Sequence, residues 1–121
     1  VFNTGTPFCH APCMVRKEAY DKVGGYTVDK RLLRVEDYEL WVKMYAAGYK
    51  GYNLGEHLYF MRDDRNAVAR RNWENRKNEI YAHWLAYKRL NLSLFRFIKF
   101  STITFFKAAC PQFVYNYFHL R

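Results

Sequence analysis

Apolar residues recur at helical spacing in three stretches of this 121-residue chain, and this periodicity limits the possible folds more than any other feature. The first stretch covers 36–47 and carries acidic residues in its opening turn, where the helix dipole favours them. The second covers about 67–90, and the third covers 93–109 and ends before Pro111. The spacing therefore predicts three substantial helices.

Extended segments are predicted around the first of these helices. Two prolines discourage a helix in the run at 8–16, and a short helix at 17–23 follows, ended by two consecutive glycines. Residues 49–54 and 57–62 have the composition of two short strands. Together with the helices, these segments predict the α/β fold class, of α+β type within this chain.

Charge divides the chain near residue 65. Residues 1–64 contain equal numbers of basic and acidic residues, nine of each, whereas residues 65–121 contain eleven basic and two acidic residues. The whole net charge of +9 therefore lies in the second part. We expect two domains: a piece of mixed secondary structure at 1–64 and a basic, aromatic-rich helical extension at 65–121.

Basic residues are interleaved with phenylalanines and tyrosines over 93–121. Such a surface can bind an anionic membrane surface, nucleic acid or a pyrophosphate-bearing substrate. Alternatively, the aromatic side chains pack on the rest of the protein or on a second subunit. Nucleic acid is disfavoured, because no recognised nucleic-acid-binding signature is present. From charge and aromatic content alone, the chain could be a basic binding module for a membrane surface or nucleic acid, or a structural assembly piece.

The three cysteines are an odd and sparse set, and no secretory signal opens the chain. This favours a cytoplasmic location, including the inner face of the membrane as a peripheral protein. A zinc site would need four ligands, and the sequence offers only three close together, Cys9, His10 and Cys13. No metal site is therefore predicted. The chain begins at Val1 rather than Met, which suggests a fragment.

Five short segments in a fixed order carry a more specific signal: His10–Lys17, Val23–Tyr26, Val35–Trp41, Gly48–Leu54 and Phe60–Arg62. They include a Gly-Gly-Tyr turn and a Glu-Asp-Tyr-Glu-Leu-Trp helix start. This order resembles the acceptor half of family-two inverting glycosyltransferases with the A-type (nucleotide-diphospho-sugar transferase) fold. The resemblance covers 8–63, and it implies that 1–64 is the acceptor-side part of such a domain, without the nucleotide-binding half.

The resemblance implies transfer of a sugar from a nucleotide-diphospho-sugar to an acceptor hydroxyl with inversion, and it assigns Asp37 as the general base. The hydroxyl must lose its proton in the transition state, so a carboxylate within hydrogen-bond reach is required. Glu36 is then a neighbour that orients the loop or the acceptor. Alternatively, Glu36, Asp37 and Glu39 only complement the helix dipole.

Four further residues are candidates for substrate binding by this resemblance. His10 is expected near the acceptor or the leaving group, or else is a structural histidine. Trp41 lies one helical turn after Asp37, where it either stacks on a sugar face or belongs to the core. Arg34 and Arg62 are candidates for holding diphosphate or an anionic acceptor, because guanidinium binds phosphate in a bidentate manner.

The family holds Mn²⁺ or Mg²⁺ with an Asp-x-Asp motif in the donor half, and this chain lacks that motif. We therefore expect no cofactor in this chain, a divalent metal in the parent enzyme, and no transferase activity from the chain alone. The resemblance implies a saccharide or lipid-linked acceptor and a role in bacterial surface or capsular polysaccharide synthesis. A homo-oligomer is expected, because uncovered strand edges and aromatics require cover.

Overall fold

The computed structural model describes residue 2, residues 6–60 and residues 72–109, the side chains of 107 and 108 excepted. Within these residues the chain forms four α-helices and one 3-10 turn. Helix α1 spans Lys17–Lys22, the 3-10 turn spans Lys30–Leu32, and α2 spans Glu36–Ala46. Helix α3 spans Trp73–Arg89 and α4 spans Leu94–Ala109.

The predicted α/β fold class, with a partial nucleotide-diphospho-sugar transferase fold, was wrong. No segment forms a strand within 6–60 or 72–109. The described backbone hydrogen bonds in the segments predicted as strands are local: the Cys13 amide donates to the His10 carbonyl at 3.1 Å, which makes a turn. A two-stranded ribbon without further support is only marginally stable in water, and these segments pair with no neighbouring chain among the described residues. What is described is an all-α arrangement.

The predicted helices are confirmed, but α3 begins at Trp73 rather than near 67, and 67–71 lie outside the described residues. Helix α2 begins at the predicted residue, and α4 begins one residue later than predicted. Helix α3 is capped by Asn72, whose side-chain oxygen accepts a hydrogen bond from the Asn75 amide at 2.9 Å. The predicted domain boundary near residue 65 lies outside the described residues and stays a prediction.

Helix α2 lies at the centre of the fold, because side chains on nearly all its sides are buried. Helix α3 crosses it through two alanines one turn apart, Ala82 and Ala86, which are 1% and 0% exposed. Small side chains at this spacing allow two helix backbones to approach closely. The core cluster of buried residues is Phe2, Leu32, Tyr38, Leu40, Trp41, Val42, Met44, Ala82 and Ala86.

A fully buried carboxylate, that of Glu39, joins three parts of the fold. Its oxygens accept a hydrogen bond from the Thr27 hydroxyl at 2.9 Å and form ion pairs with Lys43, at 3.6 Å, and with Arg89. Lys43 also donates to the Thr27 hydroxyl, at 3.0 Å, and to the Gly25 carbonyl. The turn after α1, helix α2 and the end of α3 are thereby held by one charge cluster.

Substitution of Glu39 by Gln should lower the free energy of unfolding by roughly 3 kcal/mol, because Lys43 and Arg89 then lose a buried counter-charge. Urea unfolding of both proteins measures the difference. The matched control is Asp21→Asn, which breaks the ion pair between Asp21 and Lys17. The Asp21 side chain is 56% exposed and the Lys17 side chain is 87% exposed. This control should change stability very little. Equal losses in the two variants would contradict a central role for Glu39.

A second buried polar contact joins α2, α3 and α4. The Tyr38 hydroxyl lies 3.1 Å from His83 Nδ1, and the His83 ring stacks on Phe100 with centroids 3.4 Å apart. Burial raises the pKa of Tyr38 and lowers the pKa of His83 to about 4. Both groups are therefore neutral at pH 7, and the tautomer of His83 decides which of the two donates the hydrogen bond.

Stability should fall as the pH is lowered through the range between the two pKa values of His83, about 6.5 unfolded and about 4 folded. In that range the unfolded chain binds a proton that the folded chain excludes, so the loss between pH 7.5 and 5 should approach about 2 kcal/mol. His83→Gln keeps an acceptor for Tyr38 without titrating, so urea unfolding should show a shallower pH dependence. Identical pH profiles would refute this prediction.

Candidate functional site

The Gly-Gly-Tyr turn that follows α1 sets the position of Tyr26. Gly24 and Gly25 have φ angles of 73° and 60°, in the left-handed region that glycine adopts without strain. The Gly25 amide donates to the Tyr20 carbonyl at 3.0 Å, which closes the end of the helix. The chain thus turns back, and the ring of Tyr26 lies against Tyr20 with centroids 5.9 Å apart.

Tyr26 and His10 contact each other beside α2. The Tyr26 hydroxyl lies 3.2 Å from His10 Nε2, and the His10 ring lies 6.2 Å from the Trp41 ring. Both His10 and Tyr26 are exposed. The contact therefore presents an imidazole and a phenol side by side at the surface, where each can form hydrogen bonds with a polyhydroxylated ligand.

Asp37 and Glu36 lie in the first turn of α2, facing this pair. Burial is the largest cause of the raised pKa of Tyr26, and the nearby charges of Tyr20, Asp37 and Glu36 raise it further. The Cys13 thiol also has a raised pKa, caused first by burial, then by Cys9 and Asp37. Asp37 therefore acts electrostatically on both Tyr26 and Cys13, which means that the four segments at 10, 13, 26 and 37 meet in one place.

The carboxylate of Asp37 is half-buried and accepts no hydrogen bond from any residue that the structure describes. The residue at the N-cap of α2 is Val35, whose side chain has no capping oxygen. Asp37 therefore keeps its acceptor capacity for a ligand. Glu36 is in the same condition, whereas Glu39, in the next half-turn, is committed to its buried ion pairs.

Trp41 is a core residue. Its side chain is 5% exposed and its ring packs edge-on against Phe8, with centroids 5.6 Å apart. The indole Nε1 is buried and has no hydrogen-bond partner among the described residues. The packing alternative for Trp41 therefore agrees with its environment, and stacking on a sugar stays a prediction.

Of the two arginine candidates, only Arg34 lies within the described residues. Arg34 is exposed and has a φ of 69°, an uncommon backbone conformation for a residue with a Cβ, directly before the acidic turn of α2. This conformation costs about 1 kcal/mol relative to glycine, so the surrounding turn must impose it. The amide of Val35, which donates to the Leu32 carbonyl at 2.9 Å, closes that turn. Arg62 lies outside the described residues.

An open cleft of about 670 Å³ adjoins this cluster on the side of Cys13 and Trp41. It lies between the turn at 8–16, helix α2 and the segment 49–59, and aromatic rings form much of its wall. These rings are Phe8, Trp41, Tyr45, Tyr49, Tyr52 and Tyr59. Asn53 also lines the cleft, and its side-chain amide donates a hydrogen bond to the Pro7 carbonyl at 3.1 Å. The cleft therefore offers mainly aromatic and aliphatic contact surface to a ligand.

Sequence reasoning did not assign Tyr26 or Cys13 to the site. Tyr26 was part of a recognised turn, but its contact with His10 spans sixteen residues and could not be read from local spacing. Cys13 donates its thiol hydrogen to the Cys9 carbonyl at 2.9 Å. Within the described part of the chain, no cluster of three or more His, Cys, Asp or Glu side chains could hold a metal ion. In that same part, none of the helices is both long enough and apolar enough to cross a bilayer.

Alanine substitutions should distinguish the two glycines of the turn. A Cβ on Gly24 would meet nothing within 4 Å, so Gly24→Ala should cost only the left-handed backbone penalty, about 1 kcal/mol of unfolding free energy. A Cβ on Gly25 would lie 2.9 Å from the Tyr20 ring, so Gly25→Ala should lose roughly 2–3 kcal/mol. Urea unfolding measures both, and equal losses would show that the Tyr20 contact is unimportant.

Comparison with known proteins adds one relative. The chain is 36% identical over 115 residues, 95% of its length, to a Bacillus subtilis (strain 168) protein named "Putative glycosyltransferase EpsE". The chain spans 41% of that relative's length. No protein-family model matches the chain, and no solved structure matches it. The chain is therefore homologous to a part of a protein that is named as a glycosyltransferase.

Proposed function

We propose that this chain is the acceptor-side part of a family-two inverting glycosyltransferase. In this proposal the whole protein transfers a sugar from a nucleotide-diphospho-sugar to an acceptor hydroxyl, with Asp37 as the general base. Two independent lines support it: the order of five motifs along 8–63, and the similarity to a relative named as a glycosyltransferase.

The observation that carries the proposal is the different environment of neighbouring carboxylates on α2. Glu39 is 0% exposed and bound to two basic groups, so it cannot reach a substrate. Asp37 points to the opposite side of the helix, since two residues correspond to about 200° of rotation. There it is half-buried, has no hydrogen-bond partner among the described residues, and acts electrostatically on Tyr26 and Cys13.

The proposed step is a direct displacement. The acceptor oxygen attacks the anomeric carbon, its proton passes to a carboxylate oxygen of Asp37, and the nucleoside diphosphate leaves with the electrons of the broken bond. His10 and Tyr26, whose side chains lie 3.2 Å apart, would hydrogen-bond acceptor hydroxyls and so orient the attacking oxygen. Arg34 precedes the acidic turn and would attract the diphosphate or an anionic acceptor.

Mn²⁺ or Mg²⁺ is proposed for the whole protein, where it would neutralise charge on the leaving diphosphate. The described residues of this chain do not fit such a site, because they offer no cluster of three acidic or histidine ligands. We derive no step through the metal. Because the sequence has no Asp-x-Asp motif of the donor half, the chain alone is proposed to lack transferase activity.

The remaining features of the proposal concern the whole protein. It would act in the cytoplasm, including the inner face of the membrane, on a saccharide or lipid-linked acceptor in surface or capsular polysaccharide synthesis. It would also form a homo-oligomer. The exposed apolar residues of the segment 52–60 support the oligomer or a neighbouring domain, because Leu58 and Phe60 are 72% and 93% exposed.

Asp37→Asn in the whole protein tests the proposal. The substitution keeps the size of the side chain and removes the base, so transfer should fall about a hundredfold or more. Release of nucleoside diphosphate from a panel of nucleotide sugars measures the rate, and donor binding is measured separately and should not change. Glu36→Gln is the matched control in the same turn and should have a smaller effect. Unchanged transfer in Asp37→Asn would disprove the assignment of Asp37.

A further inference from the structure

One face of α4 packs on α3. Thr104 on this face is 1% exposed. Phe100 stacks on His83, and Phe97 stacks on Tyr87 with ring centroids 5.7 Å apart. These contacts fix the rotation of α4 about its own axis, and therefore fix which side chains face away from the protein.

The opposite side of α4 carries large apolar side chains that are not buried against the described part of the chain. Leu94, Phe95, Ile98 and Phe106 are 55%, 73%, 53% and 67% exposed. At about 100° per residue, these four lie within one third of the circumference of the helix. They are called the apolar face of α4 below. Thr102 lies on the same face, but its hydroxyl donates to the Ile98 carbonyl at 2.9 Å and needs no partner from solvent.

One basic residue, Lys99, borders the apolar face by helical position. Helix α4 contains Arg96, Lys99 and Lys107 and no acidic residue. Lys99 is exposed and lies about 20° around the helix from Phe106, at the edge of the apolar face. At the end of α3, Lys88 lies over the Trp84 ring, 4.4 Å from its centroid. All nine net positive charges of the chain lie in 65–121, the part that contains this helix.

We propose that the apolar face of α4 inserts into the headgroup region of a membrane leaflet that contains anionic phospholipid. The helix lies parallel to the surface, the phenyl rings enter the acyl boundary, and Lys99 contacts lipid phosphate. An exposed apolar face with a lysine at its edge, on a helix without acidic residues, is typical of an interfacial helix that binds anionic lipid. Among the described helices none can cross a bilayer, which agrees with insertion to shallow depth. This proposal does not depend on the proposed enzymatic function.

The charges favour a lipid surface over the other occupants of such a face. A second copy packed on this face would place Lys99 of both copies at the edge of the contact, and α4 has no acidic residue to pair with either lysine. Nucleic acid would be attracted to the basic residues but would not require an uncovered row of aliphatic and phenyl side chains. An anionic leaflet satisfies the apolar and the basic groups at once.

Sedimentation with vesicles tests the proposal. The chain should bind phosphatidylcholine vesicles that contain phosphatidylserine at about 30 mol%, and should bind pure phosphatidylcholine about tenfold more weakly. Phe95→Ser combined with Phe106→Ser should weaken binding about tenfold or more, since two buried rings are lost. Phe105 is not chosen, because it contacts Trp73 and its loss would disturb α3.

Two further variants separate the causes. Phe60→Ser removes a phenyl ring that is 93% exposed but lies outside α4, and it should leave vesicle binding unchanged. Lys99→Gln should weaken binding to the anionic vesicles about fivefold, and high salt should abolish this difference. Helix content from circular dichroism should be equal in all variants, which shows that the fold is intact.

Three outcomes would overturn the proposal. The first is equal vesicle binding by the wild type and the double phenylalanine variant. The second is a wild type that self-associates without binding vesicles and that becomes monomeric in the double variant, which would make the apolar face a contact between copies. The third is binding to single-stranded RNA but not to vesicles.

Discussion

The carboxylate of Glu39 is the interaction on which the rest of the fold depends. A fully buried anion is tolerated only when opposite charges and hydrogen-bond donors surround it, and here they come from Thr27, Lys43 and Arg89. Residues 39 and 89 are far apart in the chain, so this single group aligns the end of α3 with the middle of α2. Because the rotation of α2 is thereby fixed, Asp37 lies on the other side of the helix from Glu39, where its charge acts on Tyr26.

The contact between Tyr38 and His83 connects the last helix, α4, to α2 and α3. Tyr38 lies on α2, His83 on α3, and Phe100 of α4 stacks on the imidazole. The layers are thus connected by a neutral hydrogen bond as well as by the ion pair. The orientation of α4, and with it the side that faces away from the protein, follows from this stack of rings.

Periodicity in the sequence was sufficient to predict the helices, because apolar spacing and stop residues are local properties. The strands at 8–16, 49–54 and 57–62 could not be judged in this way, since a strand exists only when another segment completes its hydrogen bonds. In the candidate site, the motif predicts Asp37 as the base, and this assignment stays a prediction. The contact of Tyr26 with His10 depends on how the chain folds back, and no local pattern in the sequence encodes it.

The burial of Trp41 gives the candidate site a built-in spectroscopic probe. Its indole is 5% exposed and close to His10, whereas Trp73 and Trp84 on α3 are 48% and 36% exposed. An indole in apolar surroundings fluoresces at shorter wavelength than one in water. The short-wavelength part of the emission therefore reports on the packing beneath Asp37, while the long-wavelength part comes from the surface of α3, and quenching by a soluble agent separates the two signals.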